Sequence, residues 1–221
     1  MRPLEENFRI LRVRVEAQAA LPALLVVSGA KRSDGATFVA CGLARAFAEA
    51  GHRTLLVDAN TANPGVAQEL DVAPLRPGRG RTDLGARNGE IPRLSIASLM
   101  SPADGGTFGE ANLEGVLEEM RSSYSVTIID AAALPNSSTA LQLAHAADGL
   151  LLAIRLGRRP DRADHELKRL LGQETPRLLG IVPTRARSRR DDGPPGGRVV
   201  PIAPTVEARA PRFEAAVEAG R

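Results

Sequence analysis

Leu24-Leu25-Val26-Val27-Ser28-Gly29-Ala30-Lys31-Arg32-Ser33-Asp34-Gly35-Ala36-Thr37-Phe38 is the stretch that decides the fold. Its first five residues form an apolar run ending in serine, which reads as a buried strand. Residues 29–37 then read as a turn that cradles phosphate, because glycines let backbone N–H groups close around an anion. A helix is predicted over residues 38–50, and its N-terminus aims further N–H groups at the same point. A turn of this layout carries lysine after its second glycine, where an ammonium meets the β- and γ-phosphates of a nucleotide. Here that residue is Ala36, a methyl group.

Outward from this turn, strand and helix patterns alternate. A polar helix is predicted over residues 3–18. Apolar runs suited to buried strands recur at residues 54–58, 94–99, 126–130, 150–154 and 178–183. Helical segments fall between them at 113–122, 138–146 and 162–171. The fold class this implies is α/β, a mostly parallel sheet covered by helices on both faces. Right-handed crossovers then gather the strand-to-helix loops on one edge, where ligands bind. Residues 73–91, rich in Gly, Pro and Arg, read as a long loop. Residues 191–210 read as a linker, followed by a short Ala/Glu helix over 211–219. The expected organisation is one domain over residues 1–185 and a flexible Arg/Gly/Pro-rich linker with a short C-terminal helix over 186–221.

With 221 residues, 43% of them hydrophobic, the chain is long enough for a sizeable core. No apolar run approaches the roughly 20 residues that span a bilayer, and the acidic N-terminus has no signal-peptide core. Cys41 is the only cysteine, so a reducing cytoplasm is the simple expectation. Of 29 basic residues only Lys31 and Lys168 are lysines, a bias that fits genome composition better than nucleic-acid binding. An aromatic content of 3% argues against a base-stacking surface. The run Arg185-Ala186-Arg187-Ser188-Arg189-Arg190 suits a solvated loop or contact with an anionic membrane. His52, His145 and His165 lack ligand spacing and imply no zinc site.

Two further strands end in acids, at Asp58 and Asp130. A carboxylate at the end of a buried strand must find water, a donor or a metal. Two of them beside a glycine turn suit Mg²⁺-nucleotide chemistry, one orienting a metal-bound water and the other positioning a nucleophile. Thr37, the first hydroxyl after Ala36, stands where a Mg²⁺ ligand belongs. Ordinary turns also favour Asp as a cap, but three such turns in this order favour a site.

These residues resemble a known family. Residues 33–44, Ser-Asp-Gly-Ala-Thr-Phe-Val-Ala-Cys-Gly-Leu-Ala, are similar to the stretch G-E-G-K-S-T-x-A-x-N-L-A of the bacterial tyrosine kinases of capsule and exopolysaccharide synthesis (CpsD/CapB type), cousins of the ParA/MinD ATPases. Residues 54–64 resemble that family's motif V-L-L-I-D-A-D-x-R-x-P, and residues 126–130 its Walker B strand. Glu6, Arg9 and Arg12 match its E-x-x-R-x-x-R motif, which implies an oligomer interface. The resemblance spans roughly residues 4–185 and implies a P-loop fold. It implies ATP bound around Lys31, Arg32, Ser33, Asp34, Gly35, Ala36, Thr37 and Phe38, with Mg²⁺ on Thr37, Asp58 and Asp130 and catalysis at Asp58 and Asp130. It further implies a homo-oligomer working in the cytoplasm with a membrane polysaccharide co-polymerase on a separate chain, with no nucleic-acid partner.

The departures fall on the same machinery. Ala36 replaces the P-loop lysine, Asn60 the second acid of D-x-D, and Ala62 and Asn63 stand where an arginine is expected. Tyr124 is the only tyrosine and precedes a core strand, so the family's tyrosine tail is absent from this sequence. Lys31 precedes Ala36 by five positions, the offset of the signature lysine in ParA/MinD proteins, and Arg32 is adjacent. Either is a candidate substitute cation. The expectation is a kinase-like protein with weak or lost phosphotransfer, acting in regulation or assembly. An active kinase with an unusual cation and a positioning ATPase are the alternatives.

Overall fold

The computed structural model describes residues 3–75, 85–99, 110–173 and 176–184. The chain opens with α1 (Pro3–Glu16), then β1 (Ala23–Gly29), a 3-10 turn (Arg32–Asp34), α2 (Ala36–Glu49) and β2 (Thr54–Asp58). Next come α3 (Val66–Glu69), β3 (Arg87–Asn88), β4 (Leu94–Ser98), α4 (Glu110–Ser123) and β5 (Val126–Asp130). After a second 3-10 turn follow α5 (Ser138–Ala146), β6 (Gly149–Arg155), α6 (Arg162–Gln173) and β7 (Leu178–Thr184).

The strands form one sheet in the order β3-β4-β2-β5-β1-β6-β7. Every pairing is parallel except the short antiparallel β3–β4 edge. The expected α/β class and mostly parallel sheet are therefore present. β1, β2 and β5 are buried along their whole length, as continuous apolar runs require when helices cover both faces.

Alternation along each strand sorts the core into two layers. Leu25, Val27, Leu56, Ile128 and Leu151 face a cluster with Phe8, Leu11, Leu43 and Phe47 of α1 and α2. Leu24, Val26, Leu55, Ile129 and Leu150 face Leu117 and Met120 of α4, Leu143 of α5 and Leu167 of α6. Phe8 joins α1 to α2: its ring meets Phe38 edge-on at 5.4 Å. A Cβ on Gly42 would lie only 2.2 Å from that ring. Glycine at this point is a packing requirement.

Three sequence readings need correction. The loop expected over 73–91 contains β3, whose Arg87 and Asn88 pair with Ile96 and Ser95. α3 was not anticipated, because a four-residue helix is too short for a periodic signal. α1 ends at Glu16, not at residue 18, since Gln18 turns back to bond the Val15 carbonyl. Residues 76–84, the Arg185–Arg190 run, the linker and the C-terminal helix lie outside the described residues. Among the described residues no helix is long and apolar enough to cross a membrane.

Phe8 is 5% exposed, so Phe8→Ala removes a ring that holds two helices together. The expected cost is about 3–5 kcal/mol, read from chemical denaturation at constant m-value.

Candidate functional site

The parallel register brings three strand ends together. β5 lies between β1 and β2, and Asp130 is the register partner of both Val27 and Asp58. The loop after β1 turns at Gly35, whose φ of +87° is one that L side chains rarely adopt. Ala36 and Thr37 then open α2. Thr37 donates its hydroxyl to Asp130 Oδ2 at 2.7 Å, tying the first turn of α2 to the end of β5.

The two acids differ in kind. Asp58 Oδ2 accepts the Gly65 and Val66 N–H groups at 2.9 and 3.0 Å, and Oδ1 accepts Asn60 N–H at 3.2 Å. It thus shapes the segment 59–65 and holds the start of α3. Burial pushes its carboxyl above the ordinary value, against the pull of those three amides. Asp130 is fully buried, and its Oδ1 has no hydrogen-bond partner. Burial raises it to about 7; the Thr37 hydrogen bond opposes the rise, and the fields of Asp58 and Glu69 add to it. A buried carboxylate oxygen without a donor, beside a hydroxyl, is a donor set that fits a divalent cation. Thr37 and Asp130 would hold Mg²⁺ directly, and Asp58 stands behind them. Among the described residues no group of three or more His, Cys, Asp or Glu side chains forms a metal cage.

A cavity of about 520 Å³ opens beside Thr37, lined also by Arg32, Asn60, Asn63, Gln68 and Glu69. Gly65 closes against Thr37 so tightly that a Cβ there would lie 3.2 Å from the Thr37 methyl. Among the described residues, Arg32 is the only basic one lining this cavity.

Lys31 is drawn elsewhere. Its ammonium pairs with Asp161 and lies 3.8 Å from Asp164, both at the start of α6. Asp34 is fully buried, and its carboxylate accepts the Ala30 and Lys31 N–H groups at 3.2 and 3.0 Å. Arg158 bridges Asp34 at 3.2 Å and Asp164 at 2.5 Å. Thr184 closes the loop by donating to the Asp34 carbonyl at 2.6 Å. Lys31 and Asp34 therefore brace the turn from behind. Arg158 and Asp164 could not have been picked out by motif, since only the fold brings β6 and α6 to the turn.

Of the remaining candidates, Ser33 is exposed, Ala36 packs half-buried against the core, and the Phe38 ring packs on Phe8. On α1, Arg9 pairs with Glu6 at 3.6 Å and with Glu49 of α2 at 3.4 Å, and Arg12 pairs with Glu16 at 2.5 Å. Cys41 is buried, and burial pushes its thiol far above the reactive range. Asp148 is structural: it accepts from Leu24 N–H at 2.7 Å and from Arg121 at 3.2 Å.

Two outcomes follow. A carboxyl whose folded pKa lies above its unfolded value destabilises the fold increasingly as pH rises from about 4 to about 7, and fully above that. Asp130→Asn keeps the acceptor for Thr37 and removes the charge. It should raise the melting temperature at pH 8 by about 2–8 °C in metal-free buffer, with little change at pH 4.5. Arg158→Ala leaves Asp34 buried without its cation and should cost about 3–5 kcal/mol in a denaturant titration.

No protein-family model matches the chain. It is 25% identical over 187 residues to the tyrosine-protein kinase CpsD of Streptococcus agalactiae, a match covering 80% of this chain and 81% of that protein. It is 27% identical over 173 residues to the succinoglycan biosynthesis transport protein ExoP of Rhizobium meliloti, covering 72% of this chain but only 22% of the relative. The chain thus spans about a fifth of ExoP. Among solved structures, the chimerical protein CapA2B2 superposes with a TM-score of 0.70 at 20% identity, over 83% of this chain and 85% of its own. A ParA family ATPase from Chlorobium tepidum gives 0.58 at 17% identity, over 78% and 76%. Cobyrinic acid a,c-diamide synthase from Mycobacterium smegmatis, solved with an ATP analogue and magnesium, gives 0.60 at 19%, over 76% of each chain. By sequence the chain is similar to a tyrosine-protein kinase, CpsD, and to a succinoglycan biosynthesis transport protein, ExoP, and its mostly parallel sheet is the fold shared with bacterial tyrosine kinase domains and ParA family ATPases.

Proposed function

We propose that this chain is a kinase-like protein of capsule or exopolysaccharide synthesis that binds Mg²⁺-nucleotide and has weak or lost phosphotransfer. It serves as a regulatory or assembly partner of a membrane polysaccharide co-polymerase, at the cytoplasmic face of the membrane. The observation that carries this reading is the contrast within one turn of helix. Asp130 keeps a buried, unpartnered oxygen beside Thr37, while Ala36 presents a methyl group where the lysine belongs.

The metal-binding half of the machinery is thus retained and the fixed charge is not. Loss of one charge-assisted phosphate contact costs about 1.5–3 kcal/mol in binding, which leaves measurable affinity. The same loss weighs more on phosphoryl transfer, which relies on positioned cations to neutralise developing charge. The lone tyrosine supports the same reading: Tyr124 is half-buried with Arg53 stacked over its ring at 5.6 Å, a poor acceptor position. ExoP, named as a transport protein and several times longer than the matched segment, supports a partner in export. For a homo-oligomer, α1 offers Ile10 and Val13, 43% and 53% exposed, alongside Glu6, Arg9 and Arg12.

An active tyrosine kinase is the second reading, and Arg32 in the cavity wall favours it. The ion pairs of Lys31 with Asp161 and Asp164 count against a positioning ATPase, since that lysine is engaged within its own chain.

The test follows ATP binding and phosphate transfer together, with Mg²⁺ present and then chelated. Expected are Mg²⁺-dependent binding, lost in Asp130→Asn, and no transfer to tyrosine substrates. No binding at all, or turnover that disappears in Asp58→Ala, would contradict the reading.

A further inference from the structure

The site has lost a cation from its fixed place, and the structure shows which neighbour stands closest to replacing it. Two candidates adjoin the turn. Lys31 is neutralised from behind by Asp161 and Asp164, and breaking those pairs would expose both carboxylates to each other. Arg32 is exposed, and no described carboxylate pairs with it. It lies on the wall of the same cavity as Thr37. The N-terminus of α2, a 14-residue helix, opens at this cavity. A second and independent mark of a ligand lies directly behind the cavity wall: the fully buried Asp130, whose Oδ2 accepts from the lining residue Thr37 and whose Oδ1 has no partner among the described residues.

We propose that Arg32 replaces the missing P-loop lysine, supplying the positive charge that holds a phosphate in the Thr37 cavity. This rests on the reading that the site binds Mg²⁺-nucleotide. The charge has moved from the helix start to the cavity wall, opposite the residues that follow β2. Thr37 and Asp130 would hold the metal, which would supply charge to the terminal phosphates, and this assigns the cavity beside Thr37 to the terminal-phosphate end. A guanidinium there grips two phosphate oxygens at once, which an ammonium cannot do. Arg32 therefore contributes more to ATP than to ADP. Asn60, Asn63 and Gln68 add neutral donors to the same lining, and Glu69, the one acid among the described lining residues, is the repulsion that the Arg32 charge offsets.

The experiment measures equilibrium binding of Mg²⁺ with a non-hydrolysable ATP analogue, and of Mg²⁺-ADP, to the full 221-residue chain by calorimetry. Arg32→Ala should weaken the ATP analogue about 10- to 100-fold and ADP less, with an unchanged melting temperature. Arg32→Lys should recover part of the loss. Adding Ala36→Lys to Arg32→Ala should recover most of it, because the charge then returns to the helix start. An unchanged affinity in Arg32→Ala, in a chain whose binding is still lost in Asp130→Asn, overturns the inference and leaves the nucleotide-binding reading standing. Equal losses for both nucleotides overturn the assignment to the terminal phosphate. A wild-type chain that binds neither nucleotide overturns the parent reading and this inference with it.

Discussion

The parallel register of β2, β5 and β1 is the constraint on which the rest of the molecule depends. It sets Asp58 level with Asp130 and Asp130 level with Val27, so three loops leave the sheet at one height. Two carboxylates on adjacent strands repel each other and are both starved of water. The fold separates their tasks to make this tolerable. Backbone amides of segment 59–66 surround Asp58, while Asp130 receives one hydroxyl and nothing more. The asymmetry turns a pair of strand-end acids into one architectural group and one buried group with an unpartnered oxygen.

The same division governs the positive charges. Asp34 is buried because the turn closes over it, and a buried carboxylate needs a partner. Arg158 supplies that partner from beyond β6, which brings Asp164 along, and Asp164 with Asp161 then captures Lys31. Lys31 also holds the exposed Asp161 below its ordinary carboxyl value. The network stabilises the shape of the phosphate turn at the expense of the charge available in front of it. In an ordinary P-loop the lysine at the helix start would make this arrangement harmless. With Ala36 in that place, Arg32 is the one basic side chain among the described residues that line the cavity.

The sheet was legible because buried strands announce themselves: residues 54–58 and 126–130 were bounded to the residue from their apolar runs and terminal acids. The helix at 138–146 was equally exact, its Ser137 cap accepting the Ala140 N–H at 3.1 Å. α3 and β3 escaped, since two- and four-residue elements exist only through tertiary contacts. At the site, residue types and order were readable but directions were not. The sequence placed Asp58 and Asp130 in equivalent roles, and Lys31 and Arg32 as equal substitutes. Only side-chain partners separated them, and the deciding ones lie far off in sequence, as Asp161 does at 130 positions from Lys31.

The retained acid is the strongest argument that the altered site is more than a relic. A buried carboxylate oxygen with no donor costs roughly 1–3 kcal/mol, a large share of a typical domain's net stability. An asparagine would satisfy Thr37 just as well and remove the repulsion from Asp58 and Glu69. A scaffold that needed only the fold would gain by that exchange. An unmet polar need at a buried strand end is what a group whose benefit comes with a ligand would show. Ala36 and Asn60 carry no charge, whereas Thr37 and Asp130 share a hydrogen bond and Asp130 keeps an oxygen with no described partner. Under the proposed function, phosphate transfer is the step that a charge at position 36 would serve, and recognition of a metal-bound phosphate is the step that Thr37 and Asp130 would serve.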